Sequence, residues 1–447
     1  MSDINIKPNA LFTADNLYVL NGMNSACIDL IYLDPPFNSK RLYKAPVGSK
    51  AAGAAFEDMW SWKDVDSALM VRLSETHPFL VDYITAIERI HSKAMMAYIA
   101  YMAQRLFEMH RVLKPTGSIY LHCDPTASHY LKVVMDRIFG KNNFRNEIVW
   151  YYPGGLKNIA NKFPSKHDII LFYGKGERPV FNLQRKAVTT DVSLWKRWGK
   201  FSEDGKTIKL KHIPVSDKVN RERQVNKFSN QNGRQPGPDD VIYTLEGAIV
   251  ESVWDDCAAV YRKKENTGYP TQKPLALMER IIKASSNEGD VVLDPFCGCA
   301  TTCVAAQQLG RRWIGIDLSD KTEPLIRERL ADDVGALFND FTHFIDLPGR
   351  SDVKPMTKQE AKPLLYGEQE GDCAGCNDHF EARHLEVDHR IPRSKGGGDF
   401  YANYQLLCGN CNRIKGNRPM EYLLSVIAKR KAQRRIFGAT PSSSNNA

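Results

Sequence analysis

The alternation of apolar and polar positions predicts strands and helices in turn along most of the chain. Asp15-Asn16-Leu17-Tyr18-Val19-Leu20 opens a helix, with Asp15 as its cap. Ile28-Asp29-Leu30-Ile31-Tyr32-Leu33 reads as a buried strand that Pro35 and Pro36 stop abruptly. Residues 40–65, rich in Gly, Ala, Lys and Trp, read as a mobile loop. A long helical stretch is expected from about Phe79 to Val112, with Met102, Leu106 and Met109 at helical spacing, and Lys114-Pro115-Thr116-Gly117 ends it. Ser118-Ile119-Tyr120-Leu121-His122 is the next strand, and a helix runs through Leu131 to Ile138. His122 and Asp124 are strand-end residues for which a bland and a functional role weigh about equally.

From about Asn146 to Ser252 no period persists. That region is rich in Lys, Arg, Asn and aromatics, among them Trp195, Lys196, Arg197, Trp198, Arg221, Arg223 and Arg234. It is either an insertion with a solvated basic face or, as the favoured reading, a target-recognition region. Order returns with Tyr269-Pro270-Thr271-Gln272-Lys273-Pro274, which introduces a helix from Leu275 to Ser285. Asp290-Val291-Val292-Leu293-Asp294 is a buried strand. Pro295-Phe296-Cys297-Gly298-Cys299-Ala300-Thr301-Thr302 turns into a helix, and Trp313-Ile314-Gly315-Ile316-Asp317 is a strand ending in a carboxylate. This is a βαβ unit with a small-residue turn at its first crossover. The acid about 20 residues on is placed for a ribose hydroxyl pair, which points to an adenosine-containing cofactor.

A chain of 447 residues predicts two or three domains. Charged residues at 25% and hydrophobic ones at 43% describe a soluble globular protein. No apolar run approaches the ~20 residues of a membrane span, so no membrane partner is expected, and the N-terminus lacks a signal-peptide core. The net charge of +9 permits a polyanionic partner without proving one. Six cysteines scatter through the α/β region and read as reduced thiols. Cys373/Cys376 and Cys408/Cys411 form two Cys-x-x-Cys pairs suited to a tetrahedral zinc site. A reducing, cytoplasmic setting fits better than a disulfide framework.

The turn Asp34-Pro35-Pro36-Phe37 holds an acid and an aromatic ring at the carboxyl end of a strand, where open α/β sheets bind ligands. Phe37 can stack on a flat base. The Asp34 carboxylate and the Pro35 carbonyl can accept both protons of an exocyclic amine. With Asn38 after it, this stretch resembles the catalytic motif of amino-DNA methyltransferases. The segment around Asp294 to Thr302 resembles their cofactor motif. The order, catalytic motif first, then recognition region, then cofactor motif, resembles the β class, a circular permutation of the doubly wound sheet, over roughly residues 11–330.

The resemblance implies S-adenosylmethionine held by Asp294, Phe296, Gly298, Thr301 and Thr302, with Asp317 on the ribose. Thr271 and Lys273 would lie near the methionine end and Asp15 near the adenine edge. Asp34, Pro35, Pro36 and Phe37 would be catalytic. Ala300 stands where the family usually has a second glycine, and tolerance is expected because alanine adopts helical angles. An acid before the two prolines favours adenine over cytosine, and the base would be flipped out of the duplex.

Pro348-Gly349-Arg350, Pro355 and Pro363 mark a linker over residues 345–365. Beyond it, Asp388-His389, Asn403 and Asn412 between and after the cysteine pairs resemble an HNH (ββα-metal) nuclease domain over residues 366–420. The resemblance implies His389 as general base and Asn403 orienting its loop. It also implies a divalent metal such as Mg2+ on Asp388 and Asn412, and structural Zn2+ on the four cysteines. Residues 421–447 read as a basic helix and a disordered tail.

The expected whole is an α/β protein: a permuted doubly wound (Rossmann-like) methyltransferase sheet over residues 1–344, with recognition region 146–252, plus a small zinc-stapled domain. It would methylate adenine in double-stranded DNA, in restriction-modification or mobile-element biology, and a homodimer is compatible with it. The rival readings are an HNH unit that only binds DNA, a binding protein with vestigial catalysis, and methylation of cytosine or of RNA.

Overall fold

A computed structural model describes residues 4–37, 41–46, 48–58, 60–61, 64–65, 70, 73–74, 76–152, 161, 163–186, 193–244, 249–260, 265–333, 341–418, 420, 422–427 and 430. They form two compact units, one of residues 1–181 with 252–447, the other of 182–251.

The larger unit is built on nine strands. In chain order they are β1 (Ala10–Thr13), β2 (Ile28–Leu33), β5 (Leu113–Cys123), β6 (Phe144–Tyr151), β7 (His167–Gly174), β10 (Val253–Trp254), β11 (Val291–Asp294), β12 (Arg312–Asp317) and β13 (Thr342–Phe344). The spatial order is β10-β6-β7-β5-β2-β11-β12-β1-β13. Every pairing is parallel except those of β7, which runs antiparallel to both β5 and β6. Parallel strands need both faces covered. Accordingly, Leu30, Ile31 and Leu33 of β2 and Val291 to Leu293 of β11 are almost fully buried.

From β2 the chain winds one way to β5, and from β11 it winds the other way to β12. The two central strands are neighbours, with Leu30 opposite Val292 and Ile31 opposite Leu293. The chain therefore opens a crevice beyond their carboxyl ends. The Asp34 turn and the Asp294 turn both leave the sheet there.

Helix α1 (Asn16–Gly22) is capped by Asp15, which accepts from the Leu17 amide. The long helix expected from Phe79 is two helices, α2 (Pro78–Ile90) and α3 (Lys93–Val112), because Ser92 caps a fresh start through the Met95 amide. Helix α4 (Ser128–Met135) follows β5. Within residues 40–65, read as a loop, β3 (Arg41–Lys44) and β4 (Ala55–Asp58) form an antiparallel hairpin.

The region read as recognition over 146–252 also changes. Its first part is sheet, since β6 and β7 extend β5. Residues 182–251 alone make the small unit, with α5 (Ser193–Trp198), β8 (Thr207–Lys209), α6 (Lys218–Asn232) and β9 (Val241–Thr244) around Trp198, Ile208, Ile213 and Ile242.

After α7 (Leu275–Ser285), α8 (Thr301–Gln308) and α9 (Thr322–Asp333), the chain crosses to a second core. The segment read as a linker contains the start of α10 (Lys358–Glu368), which a Thr357/Glu360 capping box opens despite Pro363. Ala361 and Leu365 of α10 pack with Leu385, Val387, Leu406 and Leu407 from the hairpin β14 (Leu385–His389) and β15 (Tyr404–Cys408), and with α11 (Gly409–Lys415). This core rests on the first helix of the chain. The Asn24 amide donates to Ser351 Oγ, and the Ser25 amide donates to Asp352. A side chain at Gly396 would come within 2.4 Å of the Tyr18 carbonyl oxygen. No helix among the described residues is long and apolar enough to cross a membrane. Residues 428–447, apart from 430, lie outside the described residues, so the expected basic tail is not placed.

Candidate active sites

A cleft of about 430 Å³ lies at the crevice, lined by Asp34 to Phe37 on one side and by Asp294 to Thr302 and Asp317 on the other. Two prolines deny the chain after β2 its amide donors and force the Asp34 side chain out of the sheet. Lys273 Nζ lies 2.5 Å from Asp34 Oδ2 and 5.4 Å from the centre of the Phe37 ring. Asp34 Oδ1 is buried and, among the described residues, has no hydrogen-bond partner. A buried lone pair of that kind costs about 1–3 kcal/mol unless a ligand supplies a donor. An exocyclic amine is such a donor.

Across the cleft, burial pushes the Asp294 carboxyl up to about 7; the Thr302 hydroxyl and the Phe296 amide pull it down, and Asp34 and Asp317 push it further up. Asp317 is also raised, chiefly by burial, although it accepts from the Gly298 and Ser319 amides at 2.8 Å each. Gly298 has φ +49°, and a Cβ there would meet the Tyr269 ring at 3.0 Å, so the backbone lies close to the cleft wall. Ala300 sits at φ +56°, ψ +37°. This corrects the expectation of ordinary helical angles: the residue where the family has glycine does need the left-handed region, and alanine takes it at a cost of about 1–2 kcal/mol. Arg329 clamps the turn from behind, donating to the Cys299 carbonyl and to Thr301 Oγ1.

Four carboxyl groups, Asp34, Asp58, Asp294 and Asp317, against one already paired ammonium give the cleft an acidic lining. That composition fits a cationic adenosyl sulfonium, so the residues present suit S-adenosylmethionine. Asp294, Phe296, Gly298, Thr301, Thr302, Asp317, Thr271 and Lys273 all line the cleft. Asp15 does not; its Oδ1 is held 2.8 Å from the buried Arg105, whose guanidinium stacks on Tyr101, and Asn16 takes the place at the wall. Sequence reasoning missed Tyr32, Asp168 and Tyr152, which surround His122 beneath Phe37.

In the second core, the four cysteine sulfurs lie within 4.8 Å of one another. Backbone amides donate to Cys373 and Cys408 sulfurs, as expected of thiolates turned toward a metal. Four convergent thiols with no disulfide fit one zinc ion.

His389 is nearly buried, and its Nε2 lies 2.7 Å from Asp399 Oδ1. The His389 hydrogen bond is the main force holding the Asp399 carboxyl below its ordinary range. Since a carboxylate only accepts, Nε2 carries a proton, and in the neutral ring Nδ1 is left with the lone pair. Asn403 donates to the Ile391 and Gly398 carbonyls and accepts from the Ile391 amide, which fixes the loop after His389.

The two residues expected to hold a divalent metal each have another partner. Asp388 Oδ2 is 2.8 Å from the fully buried Lys415 ammonium, which also donates to the His389 carbonyl. Asn412 donates instead to Glu386. This donor set does not fit a divalent ion, because a lysine already neutralises the only carboxylate of the pair. Asp399 and Lys415 carried no signal in the sequence that set them apart from other charged residues.

A doubly wound sheet with an anionic cofactor cleft facing an Asp-Pro-Pro-Phe turn defines a nucleic-acid amino-methyltransferase, and the second core adds a nuclease-like histidine. The DNA methylase family matches residues 28–328, and the HNH endonuclease family matches residues 373–418. The chain belongs to the DNA methylase family and carries an HNH domain. It is 28% identical over 359 residues to the Type II methyltransferase M.EcaI of Enterobacter cloacae, spanning 73% of this chain and 70% of that one. It is 30% identical over 224 residues to the DNA adenine methyltransferase YhdJ of Escherichia coli, spanning 50% of this chain and 64% of that one. Among solved structures it resembles a DNA modification methylase from Thermus thermophilus, at 18% identity and a TM-score of 0.39, covering 76% of this chain and 100% of that one.

Proposed function

We propose that the chain methylates the exocyclic amine of adenine in double-stranded DNA at a defined sequence, in restriction-modification biology, and that its HNH domain cuts DNA. The observation that carries the first part is the lone, buried Asp34 Oδ1 beside Phe37. S-adenosylmethionine, when bound, supplies an electrophilic methyl group. The chain's own residues then align the amine, which matters more than acid-base help. Lys273 pins Oδ2 of Asp34, so that Oδ1 is left to accept one amine proton while the Pro35 carbonyl accepts the other. Both bonds turn the nitrogen lone pair toward the cofactor side of the cleft. Phe37 stacks on the flipped base, and Asp34 Oδ1 is placed to receive the proton that leaves. The carboxylate before the two prolines, and the adenine activity named for YhdJ, support adenine.

Sequence choice is assigned to residues 182–251. On α6, Arg223, Asn226, Lys227, Asn230 and Gln231 share one exposed face at helical spacing, while Arg221 on the other face anchors to the Leu210 and Ile213 carbonyls. Arginine and amide side chains are those that read base edges in the major groove.

The test is modification-sensitive sequencing of DNA from cells expressing the wild type beside Asp34→Ala. Methyl-adenine at one motif, absent in the mutant, is expected. Unmodified DNA from wild-type cells, or modification that persists in the mutant, refutes the assignment. For the HNH domain, the His389–Asp399 pair supports a general base, and one zinc on the four cysteines holds it. His389→Ala should abolish cleavage of DNA with zinc still bound, and cleavage that survives refutes that role.

A further inference from the structure

Phe37 does not rest on an inert wall. Its ring lies on the imidazole of His122 with centroids 5.9 Å apart and planes 22° apart. His122 is fully buried at the end of β5, and Trp150 of β6 meets it edge-on at 5.5 Å. Both ring nitrogens are tied. Asp168 Oδ2 lies 3.1 Å from Nε2, and Tyr32 Oη lies 2.9 Å from Nδ1. The carboxylate can only accept, so Nε2–H donates to Asp168, and in the neutral ring the Tyr32 hydroxyl donates to Nδ1. Asp168 is itself held by the Tyr152 hydroxyl at 3.0 Å. Four elements of the fold thus fix one imidazole in position, tautomer and tilt.

A buried imidazole with both nitrogens satisfied needs no ligand for its own stability. Its exposed consequence is the seat of Phe37, which half faces the cleft. We propose that His122 is a positioning residue for methyl transfer: the chain Tyr152–Asp168–His122–Tyr32 locks the ring on which Phe37 lies, and so sets the plane on which the target base stacks. This rests on the adenine-methyltransferase reading. Misplacing a reactant by about 1 Å costs on the order of 100-fold in rate, and a phenyl ring without its backing has that freedom.

The experiment uses the full chain and DNA carrying its own motif, with 2-aminopurine in place of the target adenine for the fluorescence readout. Wild-type turnover on the unsubstituted DNA is measured first; if it is absent, the reading of function fails rather than this inference. His122→Ala is expected to lower kcat about 10- to 100-fold, to leave S-adenosylmethionine affinity within about twofold, and to reduce the fluorescence gain on flipping. His122→Phe restores a flat ring but breaks both hydrogen bonds that lock it, so it should fold yet recover only part of the rate. The proposal falls if His122→Ala keeps wild-type kcat and fluorescence, or if cofactor affinity drops in step with rate. It also falls if His122→Phe, a ring without those hydrogen bonds, turns over like wild type. Should His122→Ala fail to fold, the Phe variant and Asp168→Ala carry the same comparison.

Discussion

Asp294 makes the cofactor cleft a proton-linked site. Its carboxyl is 3% exposed and raised from 3.8 to about 7, first by burial, with Asp34 and Asp317 adding to it. Three pH units correspond to about 4 kcal/mol. The sign follows from the direction: an acid raised by folding holds its proton in the folded chain when the unfolded chain has lost it. The ligand-free protein therefore loses stability as pH rises from about 4 to about 7, and keeps that loss at higher pH. Replacing Asp294 by Asn removes the cost. Denaturant melts of the wild type and Asp294→Asn should converge near pH 4 and separate by up to about 4 kcal/mol at pH 8, with the variant the more stable. A cationic cofactor reverses the balance, since it favours the carboxylate. Titration calorimetry of S-adenosylmethionine at pH 6, in buffers of different ionisation enthalpy, should show release of close to one proton that is lost in the variant. A stability difference that stays flat between pH 4 and 8 would refute the reasoning.

Four further expectations can be checked with standard assays. Asp34→Asn keeps the shape but halves the acceptor capacity beside Lys273; methyl transfer measured with labelled cofactor should fall about 100-fold or more. Ala300→Gly relieves a left-handed alanine but loses a buried methyl and frees the unfolded backbone; these terms oppose, so urea melts should move by less than about 1 kcal/mol. Metal analysis should find one zinc per chain, lost in Cys408→Ser, and proteolysis of that variant should open residues 358–418 while the sheet survives. Asp399→Asn should slow DNA cleavage about 10-fold or more with zinc retained, because His389 loses the partner that fixes its tautomer.

What the sequence revealed was what neighbouring residues decide. The Asp34 turn, the glycine turn after β11 and the paired cysteines each need a few adjacent residues, and each could be found without a fold. Ala300 was visible as a departure, yet its left-handed angles were not, because the backbone there is dictated by the crossover from β11 to α8. The β7 run Ile169-Ile170-Leu171-Phe172-Tyr173 is as apolar as β2 but was lost inside a basic region, and β6 alternates too weakly to announce itself. Pro363 argued for a linker, but a capping box and two buried residues outweighed it. The partners of His122 and of Asp388 lie on other strands and helices, and side chains that meet only through topology leave no local pattern. The same holds for Asp15 and Asn16, which Arg105 ties together from a distant helix while only Asn16 lines the cleft.

The strand order also bears on how the protein is made. The first strand, Ala10–Thr13, lies between Arg312–Asp317 and Thr342–Phe344, and the helix after it is covered by residues near 350 and 396. At a synthesis rate of about 5–20 residues per second, its first partner emerges roughly 15 to 60 s after it does. For that interval Leu11 and Phe12, both buried at the end, lack the strands that flank them. The catalytic half is thus translated long before it can be assembled, and the nascent chain is a natural client for a holding chaperone. A rearranged gene that encodes residues 252–427 ahead of residues 4–181 would shorten the delay while keeping the same strands in the sheet.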